Sequence, residues 1–169
     1  CQALADVYSI REKLKDLKGL TLAYIGDGNN VCNSLIYTCS KVGLNMNIAT
    51  PKGYQPPKVA LKYGKGVKLF HDPDLAAKDA DILYTDVWAS MGQERQAEKR
   101  KKLFKDFQIN KKIVNLAKKG CLIMHCLPAH RGQEITDEVI ESSNSIIFDQ
   151  AENRMHVQKA ILIKLLGGS

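Results

Sequence analysis

The chain has 169 residues, 44% hydrophobic and 25% charged, the balance of a globular domain large enough to bury a core of its own. No apolar run approaches the roughly 20 residues that a membrane-spanning helix needs, and no signal peptide is expected. A net charge of +7 suits anionic ligands, yet the basic residues are dispersed. The single run, Glu98–Lys102, reads as a solvated helix face or loop, and no interleaved aromatics point to nucleic acid. Five cysteines, an odd count without knot-like spacing, point to a reducing compartment, and a cytoplasmic location is expected.

The chain opens at Cys1 already in a helix-like pattern, "CQALADVYSIREKL", as though it continued something longer. Short β-rich apolar runs follow: Leu20–Ile25, Met46–Thr50, Val67–Phe70, Asp81–Val87, Cys121–Cys126 and Ser145–Phe148. They are too continuous for strands with one wet face, and suit a parallel sheet covered on both sides. Between them, Val31, Leu35, Cys39 and Val42 form a helical stripe that Gly43 stops. Residues 49–58, rich in proline and glycine, read as a loop. Asp106 is the expected cap of a helix that ends in lysines before Gly120, and Thr136 precedes a short acidic helical segment. Asp149 with Glu152 has the spacing of a capping box for the last helix. This alternation predicts a single α/β domain: a doubly wound, Rossmann-like parallel sheet with helices on both faces.

Ligands of such sheets lie beyond the carboxyl ends of the strands, near the topological switch point. The first strand runs into "GDGNN" and a helix, but the third glycine and the ribose-binding acid of a dinucleotide site are missing. Asp86 closes the fourth strand, where a carboxylate can address a ligand amine or simply cap a turn, with Trp88 and Met91 as core. Ser90, Met91 and Gly92 follow with the composition of a closing loop. The fifth strand delivers Cys126, Leu127 and Pro128. A thiol there activates or orients a nucleophile if cations such as His130 and Arg131 lower its pKa. The rival is a metal site of Cys121, His125, Cys126 and His130, but successive strand residues point to opposite faces. Arg154 sits early in the last helix, where the helix dipole disfavours a cation, and so is available to an anionic or carbonyl ligand or to acids of the same turn.

Taken in order, "CQALAD", "GDGNN", "DVWASMG", "HCLPAHRG" and "FDQAENRMH" resemble the ornithine carbamoyltransferase family, over its second half only. The resemblance implies an ornithine-binding domain over residues 1–169. Residues 1–16 would form the interdomain helix, and 149–166 a last helix that returns to pack on the absent carbamoyl phosphate domain. It implies the transfer of a carbamoyl group from carbamoyl phosphate to the δ-amino group of L-ornithine, giving citrulline and phosphate. Neither metal nor organic cofactor is implied, and the parent enzyme is expected to be a homotrimer. The residues it assigns to ornithine are Asn30, Asp86, Ser90 and the Met91 backbone at the α end, and Cys126 with the Leu127 carbonyl at the δ-amino group. Arg154 would polarise the carbamoyl oxygen and Gln2 touch the carbamoyl amide, while Asp86, Cys126 and Arg154 would carry the chemistry. Without the other half, the chain is expected to be inactive.

Overall fold

Five strands pair in parallel in the order β3–β2–β1–β4–β5, over Thr21–Ile25 (β1), Asn45–Ala49 (β2), Val67–Phe70 (β3), Ile82–Thr85 (β4) and Leu122–His125 (β5). The computed structural model describes residues 1–89 and 97–167. Among these, the helices are Gln2–Leu14 (α1), Asn30–Val42 (α2), Lys58–Tyr63 (α3), Pro73–Ala77 (α4), Ala97–Phe104 (α5), Lys111–Leu116 (α6), Asp137–Ile140 (α7) and Ile147–Leu165 (α8). No described helix is long and apolar enough to cross a membrane.

Strands β1, β4 and β5 are buried almost throughout because apolar layers cover both faces. One layer joins Val7 and Ile10 of α1 and Leu35 and Ile36 of α2 to Leu22, Tyr24, Tyr84 and Met124. The other joins Ala76 of α4, Phe104 of α5, Ile113 of α6 and Val139 of α7 to Ala23, Ile25, Leu83 and Ile123. This is the doubly wound sheet that the apolar runs predict.

Several local expectations change. The segment Ser145–Phe148 is not a sixth strand: Ser145 makes an isolated bridge to Ile123, and α8 begins at Ile147. Ile146 enters one apolar layer and Ile147 the other, so burial on both sides is met by a helix start. Asp106 lies in a 3₁₀ turn, and Asn110 caps α6 by accepting from Ile113 N at 3.2 Å. Asp149 is inside the first turn of α8 and pairs with Lys13 of α1 at 2.5 Å. A helix that the sequence pattern passes over, α4, starts at Pro73 after Asp72, whose carboxylate accepts from Asp74 N.

The basic run also needs correcting. Glu98–Lys102 lies in α5, but Arg100 is only 4% exposed. Its guanidinium stacks over Tyr54 and Phe104, donates to the Trp88 carbonyl and pairs with Asp27. One member of a charged run is thus a buried strut between three loops.

Candidate active site

Strand register builds the site. Ile25, Thr85 and His125 are cross-strand partners, so the next residues (Gly26, Asp86 and Cys126) leave the sheet side by side. Strand order reverses direction at β1 and β4, the crevice where doubly wound sheets take their ligands.

Asp86, 6% exposed, is the centre of this crevice. Its Oδ2 accepts from Asn29 Nδ2 at 2.6 Å, and its Oδ1 from Cys126 Sγ at 3.0 Å and from Val87 N at 2.8 Å. Asn29 is held in turn because it caps α2: its Oδ1 accepts from Val31 N and Cys32 N, and from the Tyr24 hydroxyl at 3.3 Å. With its oxygen committed to the helix, the amide nitrogen must face Asp86. Asn30, the residue named from the resemblance, is exposed at the first position of α2, one step beyond this contact.

The glycines of "GDGNN" do not form a phosphate cradle. A Cβ on Gly28 would lie 2.3 Å from Pro56 N and 2.6 Å from the Tyr54 carbonyl, so the chain's own loop occupies that approach. Gly28 N donates to that same carbonyl at 2.8 Å, and Asp27 is occupied by Arg100.

The Cys126 thiol is not activated by cations. Burial first, and then the Asp86 carboxylate, push its pKa well up, so it stays protonated and donates to Asp86. Arg131 points elsewhere, pairing with Asp137 at 2.8 Å and Glu141 at 2.6 Å on the surface. The turn after Cys126 is shaped by its neighbours. Leu127 has φ 54°, its N–H donates to His125 Nδ1 at 2.8 Å, and the Leu127–Pro128 peptide is cis. The other ring nitrogen, His125 Nε2, faces Glu134 at 3.2 Å. Cys121 packs in the layer opposite Cys126, so the nominal metal set is divided between the two faces of the sheet.

A second cluster holds the carbamoyl-end residues expected from the resemblance. Arg154 Nη1 donates to Gln2 Oε1 at 3.1 Å, joining α8 to α1. Behind them Asp6, 0% exposed, accepts from Gln2 Nε2 and Gln150 Nε2, each at 2.7 Å, and from the Tyr84 hydroxyl at 3.0 Å. Gln150 Oε1 accepts from His125 N at 3.0 Å, which ties this cluster to the strand that presents Cys126. Ser90 and Met91 lie outside the described residues.

Sequence reasoning missed Asn29, Asp6, Tyr24, Tyr84 and Gln150. Asn29 carried a usable signal, an asparagine directly ahead of a helix. The tyrosines are register partners on β1 and β4 and stack at 5.8 Å, a relation that only strand pairing reveals.

The description "Aspartate/ornithine carbamoyltransferase, Asp/Orn binding domain" matches residues 18–165. The chain is 54% identical to ornithine carbamoyltransferase of Pyrococcus horikoshii, over 99% of its own length and 56% of the relative's. The solved ornithine carbamoyltransferase of Pyrococcus furiosus superposes with a TM-score of 0.92 at 52% identity, covering 96% of this chain and 55% of that one. The Thermus thermophilus enzyme gives 0.89 at 45% identity, covering 98% and 54%. The chain thus spans about half the length of the relatives it matches. With its switch-point site and this match over 18–165, the chain belongs to the aspartate/ornithine carbamoyltransferase family and carries its Asp/Orn-binding domain.

Proposed function

We propose that this chain is the ornithine-binding half of an ornithine carbamoyltransferase, which moves the carbamoyl group of carbamoyl phosphate to the δ-amino group of L-ornithine and releases citrulline and phosphate. The observation that carries this reading is the buried Asp86 carboxylate, held from two sides by Asn29 and Cys126 at the strand ends. A fixed, desolvated negative charge is complementary to an α-ammonium group, and a carboxylate-bearing side chain such as aspartate's would meet repulsion there.

In this reading Asp86 takes the α-amino end of ornithine, with Asn30, Ser90 and the Met91 backbone completing the α-carboxylate side. The extended side chain then brings its δ-nitrogen to Cys126 and the Leu127 carbonyl. Attack on the carbamoyl carbon needs a neutral amine, so the δ-ammonium gives its proton to solvent before it attacks. A protonated thiol does not abstract its proton as a thiolate would. Cys126 instead accepts an N–H contact on sulfur and aims the nitrogen lone pair, while its own hydrogen stays on sulfur, donated to Asp86. As the nitrogen bonds to carbon, negative charge grows on the carbamoyl oxygen, where Arg154 is the preplaced cation and Gln2 addresses the amide. The C–O bond to phosphate then breaks, phosphate leaves with the electron pair, and the proton shed by the attacking nitrogen goes to the departing phosphate.

The phosphate itself would be held by the half of the enzyme that this chain does not match. An apolar groove of about 540 Å³, lined by Leu4 and Tyr8 of α1 and Val157, Ile161 and Leu165 of α8, is the surface on which that half would pack. The homotrimer would be assembled chiefly through that half as well, and the reaction asks for no cofactor. Calorimetric titration with L-ornithine tests the site directly, on the chain joined to the carbamoyl phosphate-binding half of the Pyrococcus furiosus enzyme. Asp86→Asn should weaken binding by about tenfold or more. Equal affinity of the two proteins would remove Asp86 from the site.

A further inference from the structure

We propose that Asp6 is a positioning residue for the carbamoyl end of the site: its carboxylate fixes the rotation of the Gln2 amide, and Gln2 in turn aims Arg154. This rests on the roles given above to Gln2 and Arg154.

Asp6 occupies an improbable place. It is fully buried on α1, in the company of Ala3, Val7 and Ile10, where an apolar side chain would pack without cost. Its surroundings are all donors. Oδ1 accepts from Gln2 and from Gln150, and Oδ2 accepts from the Tyr84 hydroxyl. The carboxylate thus gathers α1, β4 and α8 around one acceptor.

The consequence falls on Gln2, whose side chain has two unlike ends. With Nε2 donating to Asp6, Oε1 is turned outward, and there it accepts from Arg154 Nη1 at 3.1 Å. The flipped amide would set oxygen against the carboxylate and NH₂ against the guanidinium, losing both bonds at once. One rotation satisfies both neighbours, and Asp6 selects it. Arg154 needs such a guide because it is exposed on α8 and a long free side chain samples many rotamers. The helix beneath it is already anchored, since Asn153 Nδ2 donates to Ser9 Oγ at 3.1 Å and to Glu12 Oε2 at 2.9 Å. What remains to be set is the guanidinium itself. A donor that stabilises charge on the carbamoyl oxygen is effective only if it is in place before the charge forms.

The same carboxylate reaches toward the other substrate end. Gln150, which donates to Asp6, accepts from the backbone N–H of His125, the residue before Cys126. Asp6 is therefore a common reference for Arg154 and for the strand end that carries the thiol.

The test uses the enzyme formed by joining this chain to the carbamoyl phosphate-binding half of the Pyrococcus furiosus enzyme, with Asp6→Leu, Gln2→Glu and the pair of changes together. Asp6→Leu removes the acceptor, so the Gln2 amide loses the partner that holds its NH₂ inward and its oxygen toward Arg154. We expect kcat to fall about tenfold or more while KM for ornithine changes less than about twofold. Gln2→Glu alone sets two carboxylates against each other and also slows the enzyme. Added to Asp6→Leu, Gln2→Glu presents an oxygen to Arg154 in either rotation, and should restore at least about half of the lost factor on a logarithmic scale. A double variant no faster than Asp6→Leu, or an unchanged kcat in Asp6→Leu, would overturn the proposal. A second readout needs neither folding of the variants nor substrate. In the unaltered chain, the Gln2 side-chain NH₂ protons should exchange with water at least about tenfold more slowly than those of a free glutamine. Exchange at the free rate would overturn the proposal too. Absence of citrulline from the unaltered joined enzyme would instead count against the functional reading, because the exchange measurement stands without turnover.

Discussion

The Cys126 thiol donates its hydrogen to Asp86 Oδ1 across 3.0 Å, so the residue with the most reactive reputation in the site is held as an acid by its neighbour. Burial and the adjacent carboxylate both act against the thiolate. Iodoacetamide near pH 8 should therefore modify exposed Cys1 readily and leave Cys126 unmodified over the same period. Peptide mass mapping reads both sites. Asp86→Asn removes the repelling charge and should speed modification of Cys126, whereas rapid labelling of Cys126 in the unaltered chain would contradict a protonated thiol.

For turnover, the same geometry predicts that Cys126→Ala in the joined enzyme lowers kcat by about tenfold or more with a smaller change in KM. The α end of ornithine would still have Asp86. A thiol that only filled space would instead cost on the order of 1 kcal/mol of stability and spare kcat. Steady-state kinetics with melting curves on the same samples separates the two.

Arg100 and Asp27 form a buried ion pair, with side chains 5% and 13% exposed. Burial raises the Asp27 pKa and the Arg100 charge opposes that rise. Removing the cation alone strands the carboxylate, so Arg100→Met should destabilise the chain by about 3 kcal/mol. Removing both charges, with Asp27→Asn added, should recover part of that loss. Urea unfolding of the two variants decides it, and a double variant less stable than Arg100→Met would show that the pair is not the source of the stability.

Asp6 gives a pH signature. Burial, opposed by bonds from Gln2, Gln150 and Tyr84 and by the charge of Arg154, raises its pKa from the ordinary 3.8 to about 6. The folded chain therefore keeps a proton that the unfolded chain has lost. This contribution is complete below the unfolded pKa and disappears as pH rises through about 6. The gap of roughly two pH units corresponds to a swing of about 3 kcal/mol. Asp6→Asn cannot titrate, so the stability of the unaltered chain relative to this variant should decline between about pH 4 and about pH 7. A difference that stays flat over that range would mean Asp6 does not bind its proton there.

The candidate site was half legible in the chain. Continuous apolar runs identified the strands, and a carboxylate and a thiol at the ends of two of them could be read directly as Asp86 and Cys126. That they meet depends on the register Thr85 to His125, which no local pattern encodes. Asn29 and Asn30 are identical neighbours, and only the phase at which α2 begins decides which one caps it and faces Asp86. Arg100 was hidden because its partners are far along the chain, Asp27 at 73 residues' distance, while its sequence neighbours are solvated lysines. Asp6 was hidden for the same reason, its contacts with Tyr84 and Gln150 being 78 and 144 residues away. The false strand at Ser145–Phe148 had the right composition for a strand and lost to tertiary packing at the start of α8.

The most direct test of the account joins this chain to the carbamoyl phosphate-binding half of the Pyrococcus furiosus enzyme and supplies carbamoyl phosphate with either L-ornithine or L-aspartate. We predict citrulline from ornithine and no carbamoyl-aspartate, a kcat/KM for ornithine at least about tenfold lower in Asp86→Asn, and no product from the chain alone. A folded joined enzyme that carbamoylates aspartate as well as ornithine, or that is indifferent to Asp86→Asn, would contradict an ornithine site built on Asp86.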